Sequence, residues 1–165
     1  MKLDLEQSLA SMKTQLTAYC LQKGITNPIV VGIHTGGVWV AEQLMSVVAT
    51  DAPLATLDIT FYRDDFTRAG LNPKVNQTSL PSIEDRHVIL VDDVLMSGRT
   101  IRAAMNEIFD FGRPASISLA ILYDLGKHEL PIQADVIGER LTLNPDQRVK
   151  LSGPSPLTVS VIEAH

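Results

Sequence analysis

The chain has 165 residues, 45% hydrophobic and only 5% aromatic, with 19 Asp and Glu against 14 Lys and Arg and a formal charge of −5. That length suits one domain, 1–165, around a mainly aliphatic core, and the acidic balance excludes a surface that grips nucleic acid all round, leaving room only for a local basic patch. The lone Cys20 excludes an internal disulfide, no stretch reaches a membrane span, and "MKLDLEQSLASM" lacks a signal peptide's apolar run, so a cytoplasmic protein is expected.

In chain order, Leu5, Leu9, Met12, Leu16 and Tyr19 recur at three- and four-residue steps and predict a helix that stops at Gly24. Cys20 is read as a small apolar residue of that helix. The apolar run Ile29 to Ile33, beside Pro28, is too short for a helix and predicts a buried strand. "HTGG" follows as a tight loop. Val38, Ala41, Leu44, Met45 and Val48 restore a helical period, and "PLATLDITFYR" predicts the next strand. Residues 64–86 carry Gly, Pro, Asn and charges with little periodicity, and so long a loop in a compact domain is functional or disordered. "HVILVDDV" is a strand. "GRTIRAAMNEIFDFG" is a helix with Ile101, Met105, Ile108 and Phe109 on one face and Gly112 past its end. "ASISLAILYD" is another strand, and from about Leu130 short β-like runs ("ADVIG", "RVKL", "LTVSVI") alternate with turns.

Alternating strands and helices predict an α/β fold with a mainly parallel central sheet covered on both faces. Ligands bind such sheets beyond the carboxyl ends of the strands, where "HTGG", the long loop and "DDVLMSGRT" all fall. In the last of these, Ser97, Gly98, Arg99 and Thr100 sit where strand turns into helix. Unpaired N–H groups of the first helical turn, a close-approaching glycine and two hydroxyls describe an anion cradle sized for a phosphate. Asp92 and Asp93 repel phosphate and must address another part of the same ligand. Ribose hydroxyls donate to carboxylates, and the pair can share Mg²⁺ with phosphate oxygens. The stretch therefore suits a sugar phosphate. The alternative, that the acids cap the turn and Ser97 caps the helix, accounts for one acid and one hydroxyl but not for the pair.

"VILVDDVLMSGRT" resembles, over all thirteen residues, the signature of type I phosphoribosyltransferases, which bind phosphoribosyl pyrophosphate (PRPP). With "DITFYRDD", "FGRPASISLA" and "HELPIQAD" in order, the chain from about Pro28 to Lys150 is similar to the PyrR family of pyrimidine regulators, which resemble uracil phosphoribosyltransferases and often bind RNA. The resemblance implies a type I phosphoribosyltransferase fold with a small β-rich hood within 130–165. It implies transfer of phosphoribosyl to uracil, giving UMP and pyrophosphate. Asp92 and Asp93 would hold the ribose hydroxyls and meet the Mg²⁺ carried by PRPP. Val94, Leu95, Met96, Ser97, Gly98, Arg99 and Thr100 would wrap the 5′-phosphate. Thr35, Gly36 and Gly37 would form the pyrophosphate loop, where relatives use backbone amides and often a strained or cis peptide. Residues 64–80 would be a mobile loop over the reacting centre. Arg63, with Arg68 and Lys74, would face pyrophosphate, and Leu125, Val136 and Val149 would bound the base. A homodimer or higher oligomer is implied.

The chain departs from the family in three places. The usual Lys-Thr-Arg-Gly loop reads "HTGG", so pyrophosphate leans on backbone amides and Mg²⁺. Asp-Arg-Gly-His-Arg-Glu-Leu-Pro reads "DLGKHELP", which puts Leu125 and His128 where relatives carry arginines. On the RNA-binding face of relatives this chain offers Lys13 besides Lys2 near the start, with Lys127 and His128 in the turn, but Leu125, Gln133 and Glu139 replace basic residues. A nucleotide sensor with little turnover, or a transferase for another base, remains open at this level.

Overall fold

A computed structural model describes residues 1–59 and 78–163. Arg63, Arg68, Lys74 and nearly all of the expected mobile loop lie outside the described residues.

The chain opens with α1 (Leu5–Lys23), which Asp4 caps by accepting the Gln7 N–H at 3.0 Å and Gly24 ends in the left-handed conformation at φ 66°. β1 (Ile29–Ile33), α2 (Gly36–Leu44), a 3₁₀ turn (Met45–Val47) and β2 (Ala55–Leu57) follow. Then come β3 (His87–Leu95), α3 (Arg99–Phe111), β4 (Ser116–Asp124), β5 (Val136–Arg140), β6 (Gln147–Ser152) and β7 (Thr158–Glu163). The order β2-β1-β3-β4-β5 forms one parallel sheet, and β6 and β7 pair antiparallel as a separate hairpin. The fold is the α/β arrangement expected from the alternating elements.

Side chains alternate across each strand, so the sheet buries two faces. Ile29, Val31, Val88 and Leu90 pack with Ile101, Ala104 and Ile108 of α3. Val30, Ile89, Val91, Ala120 and Leu122 pack with Met12 and Leu16 of α1 and with Val40, Ala41 and Leu44 of α2. None of the described helices is long and apolar enough to cross a membrane.

Among the described residues of "PLATLDITFYR" the paired strand is Ala55–Leu57, and Thr56 also bridges Ser79; the last four residues of that stretch lie outside the described ones. One expectation is revised. "ADVIG" does not belong to a hood; as β5 it extends the main sheet as its edge strand. Its outer backbone is covered by α1. The Gln15 side-chain amide donates to the Ile137 carbonyl at 2.6 Å and accepts the Ile137 N–H at 3.2 Å, which blocks the open edge. Among the described strands only the β6–β7 hairpin stands apart, with Val149, Leu151, Val159 and Val161 against the α1–α2 side of the core.

Candidate active site

β1 and β3 are neighbours, but the chain leaves β1 for β2 on one side and returns to β3 on the other. That reversal opens a crevice at their carboxyl ends. The "HTGG" loop emerges from β1 there, beside the acids of β3.

The contact between the two is close. A Cβ added to Gly36 would collide with the Asp93 carboxylate, and one added to Gly37 would lie 2.6 Å from the Val91 carbonyl oxygen. Two glycines thus let the loop and the start of α2 rest directly on β3. The His34–Thr35 peptide is cis. Asp92 is buried, and its Oδ1 accepts the Asp93 N–H at 2.9 Å. Asp93 Oδ1 in turn accepts the Val94 N–H at 2.9 Å. Each carboxylate is therefore held by the backbone with its second oxygen not engaged in that bond.

Beyond the acids, Gly98 adopts φ 96° and α3 begins at Arg99, whose N–H donates to Ser97 Oγ at 3.2 Å. Residues 125–132 brace this cradle from outside. The Leu125 N–H donates to the Leu95 carbonyl at 2.9 Å, and those of Glu129 and Leu130 to the Ser97 carbonyl at 2.9 and 3.2 Å. Two carbonyls of the loop are thereby turned away from any anion it holds. A Cβ at Gly98 would sit 3.1 Å from the Ile132 Cβ.

Two joined clefts result. One, about 440 Å³, is lined by His34, Thr35, Gly36, Trp39, Asp92, Asp93, Val94, Thr100 and Leu151. The other, about 300 Å³, is lined by residues 93–98, Thr100, Ile101, Leu125, Arg148 and Val149. Asp93, Val94 and Thr100 border both, so loop, acids and cradle face one site.

Of the residues singled out from sequence, Thr35, Gly36, Asp92, Asp93, Val94, Leu95, Met96, Ser97, Gly98, Thr100, Leu125 and Val149 line these clefts. Three do not. Gly37 is buried against β3. The Arg99 guanidinium pairs outside the cradle with Glu129 at 3.1 Å, both side chains about 60% exposed. Val136 is corrected from base contact to core: it is 1% exposed and packs among the α1-facing residues, because its place in β5 turns it inward. Sequence reasoning passed over Trp39, Leu151 and Arg148. Trp39 lies one helical turn after Thr35, and that spacing is the signal that could have found it.

Among the described residues no three His, Cys, Asp or Glu side chains gather as a metal cage. The two adjacent carboxylates fit an ion that completes its shell with substrate oxygens, the usual habit of Mg²⁺.

A third cleft, about 810 Å³, lies beyond the brace and is lined by Lys127, His128, Gln133, Arg140 and their neighbours. There His128 Nε2 lies 2.9 Å from Asp124 Oδ1.

Residues 4–148 match the phosphoribosyl transferase domain family. A protein named bifunctional protein PyrR from Pseudomonas paraeruginosa is 57% identical over 152 residues, covering 92% of this chain and 89% of that protein. Its namesake from Pseudomonas savastanoi pv. phaseolicola is 52% identical over 159 residues, covering 96% and 94%. Among solved structures, a hypoxanthine-guanine phosphoribosyltransferase from Bacillus anthracis superposes with a TM-score of 0.69 at 17% identity, covering 89% of this chain and 83% of the other. A hypoxanthine phosphoribosyltransferase from Staphylococcus aureus gives 0.66 at 21%, covering 89% and 78%. These distant structures share the fold.

Proposed function

The chain belongs to the PyrR family of phosphoribosyl transferase domain proteins, and from that premise we propose that it joins uracil to PRPP, releasing UMP and pyrophosphate, and that it also regulates pyrimidine synthesis. The observation that carries this reading is the contact of Gly36 with Asp93. It supports a single site in which a loop suited to pyrophosphate meets acids suited to ribose hydroxyls and, across the cleft lining shared by Asp93, Val94 and Thr100, a cradle suited to a 5′-phosphate. Those are the three parts of PRPP, in the order the molecule presents them.

The reaction builds positive charge on the ribose ring and negative charge on the departing pyrophosphate. The protein supplies positioning and fixed charge rather than a covalent nucleophile. Asp92 and Asp93 hold the ribose hydroxyls and place carboxylates near the ring as it becomes cationic. The backbone of residues 94–100 anchors the 5′-phosphate. Thr35 and Gly36 receive the pyrophosphate. Asp92 and Asp93 would hold a Mg²⁺ carried by PRPP, which when bound would supply neutralisation of the leaving group's charge. Arg63, which lies outside the described residues, is the cation that the family resemblance assigns to the pyrophosphate.

The base sits between Leu125 and Val149, and a cytoplasmic homodimer or larger oligomer is its working form. The family's RNA role is attenuated, because Leu125, Gln133 and Glu139 stand at positions that in RNA-binding relatives are basic. The test is a screen of the purified protein with PRPP, Mg²⁺ and a panel of nucleobases. UMP formed from uracil ahead of every other base is expected. Faster transfer to a purine, or none to any base, would overturn the assignment.

A further inference from the structure

β6 contributes lining residues to both clefts. Leu151 borders the cleft of the His34–Gly36 loop, whereas Val149 and Arg148 border the cleft of the phosphate cradle. Displacement at the anomeric carbon puts the entering base opposite the leaving pyrophosphate. A pyrophosphate on the Thr35–Gly36 loop therefore directs the base to the other cleft, whose walls Val94, Leu125 and Val149 are apolar. Arg148 is the one cationic residue lining that cleft among the described residues. Arg99, the cation suggested by the motif, is turned outside and paired with Glu129. Arg148 itself is exposed and makes no ion pair or side-chain hydrogen bond with any described residue.

We infer that Arg148 binds the entering base and favours its anionic form. The inference rests on the transferase reading above. In the step concerned the N1–H proton passes to water, the N1–C1′ bond forms, and the C1′–O bond breaks with its electron pair leaving on pyrophosphate. Negative charge on the pyrimidine, spread over its two carbonyl oxygens, grows before N1 attacks. A guanidinium stacked on or beside the ring stabilises that charge, and its planar cation suits a flat π-system. No carboxylate other than Asp93 lines the cleft among the described residues, so an uncommitted cation there has little to compete with the base.

The experiment compares the parent protein with Arg148→Gln and Arg148→Lys, using uracil and the more acidic 5-fluorouracil. Losing one charge-assisted contact lowers kcat/KM for uracil by about tenfold to a hundredfold. KM for PRPP stays at the parental value, Arg148→Lys recovers part of the loss, and the deficit of Arg148→Gln shrinks with 5-fluorouracil because that base ionises without help. Equal losses with both bases, parental activity in Arg148→Gln, or a raised KM for PRPP (the mark of a phosphate contact) would overturn the inference. A parent protein that makes no UMP refutes the transferase reading itself, a different result from an active parent matched by an active variant. Circular dichroism of the variants, altered only at an exposed side chain, confirms the fold.

Discussion

Replacing Gly36 with alanine tests the contact on which the site is built. The new Cβ would stand 2.7 Å from the Asp93 Cγ and 3.2 Å from its Cβ, with the carboxylate oxygen closer still. The obstacle is the end of a side chain, so the protein yields by rotating Asp93 rather than by unfolding. Rotation gives up the 2.9 Å bond from the Val94 N–H. A hydrogen bond to a charged group contributes about 1.5–3 kcal/mol, so kcat/KM for PRPP should fall by about tenfold to a hundredfold. Stability should change little, since alanine favours helix over glycine by about 1 kcal/mol and offsets part of the strain. Gly37→Ala makes the opposite case. Its Cβ meets the Val91 carbonyl at 2.6 Å, in the backbone of a buried strand that cannot turn aside. That variant should lose roughly 1–3 kcal/mol and melt several degrees lower. Initial rates with PRPP varied and thermal melts of both proteins read the two effects separately. Parental kcat/KM in Gly36→Ala would refute the reasoning, as would a larger melting shift in Gly36→Ala than in Gly37→Ala.

Trp39, the only tryptophan, lines the cleft beside the acids, so PRPP with Mg²⁺ should change its emission saturably; unchanged emission at saturating ligand would remove pyrophosphate from that cleft. Burial pushes the Cys20 thiol above its ordinary value of 9.0, which lowers the thiolate fraction. Alkylation at pH 8 should therefore be slower than for a free thiol and still be rising at pH values where the free thiol has levelled off; a plateau at the free-thiol pH would contradict this. Against the leader RNA of its own pyrimidine genes, with UMP at about 0.15 M salt, the protein should show no tight binding, because each missing cation removes counterion release. A sequence-specific dissociation constant in the nanomolar range would show that the remaining cations suffice.

The sequence made the acids and the cradle legible because a buried strand ending in two carboxylates has few structural uses. It also exposed the sheet, since its strands are buried on both faces and read as unbroken apolar runs. What it left hidden depends on pairing across the chain. "ADVIG" reads alike as hood or sheet, and its place as β5 follows from parallel pairing with β4 and from Gln15, 122 residues away in sequence, closing its edge. Val136 and Val149 are equivalent as letters, but β5 buries one and the hairpin leaves the other at the cleft. Arg99 looks like a phosphate ligand in its motif, but its guanidinium pairs with Glu129 of the brace, a contact that its neighbours in sequence do not announce.

The most direct measurement of the central claim follows UMP and pyrophosphate together in one reaction of uracil, PRPP and Mg²⁺, for the parent and for Asp92→Asn and Asp93→Asn. The account predicts equal amounts of the two products from the parent. Rates should be lower by about a hundredfold or more in each variant at unchanged circular dichroism, the scale of removing one positioned electrostatic contact. Pyrophosphate released without UMP, or parental rates in both variants, would contradict it.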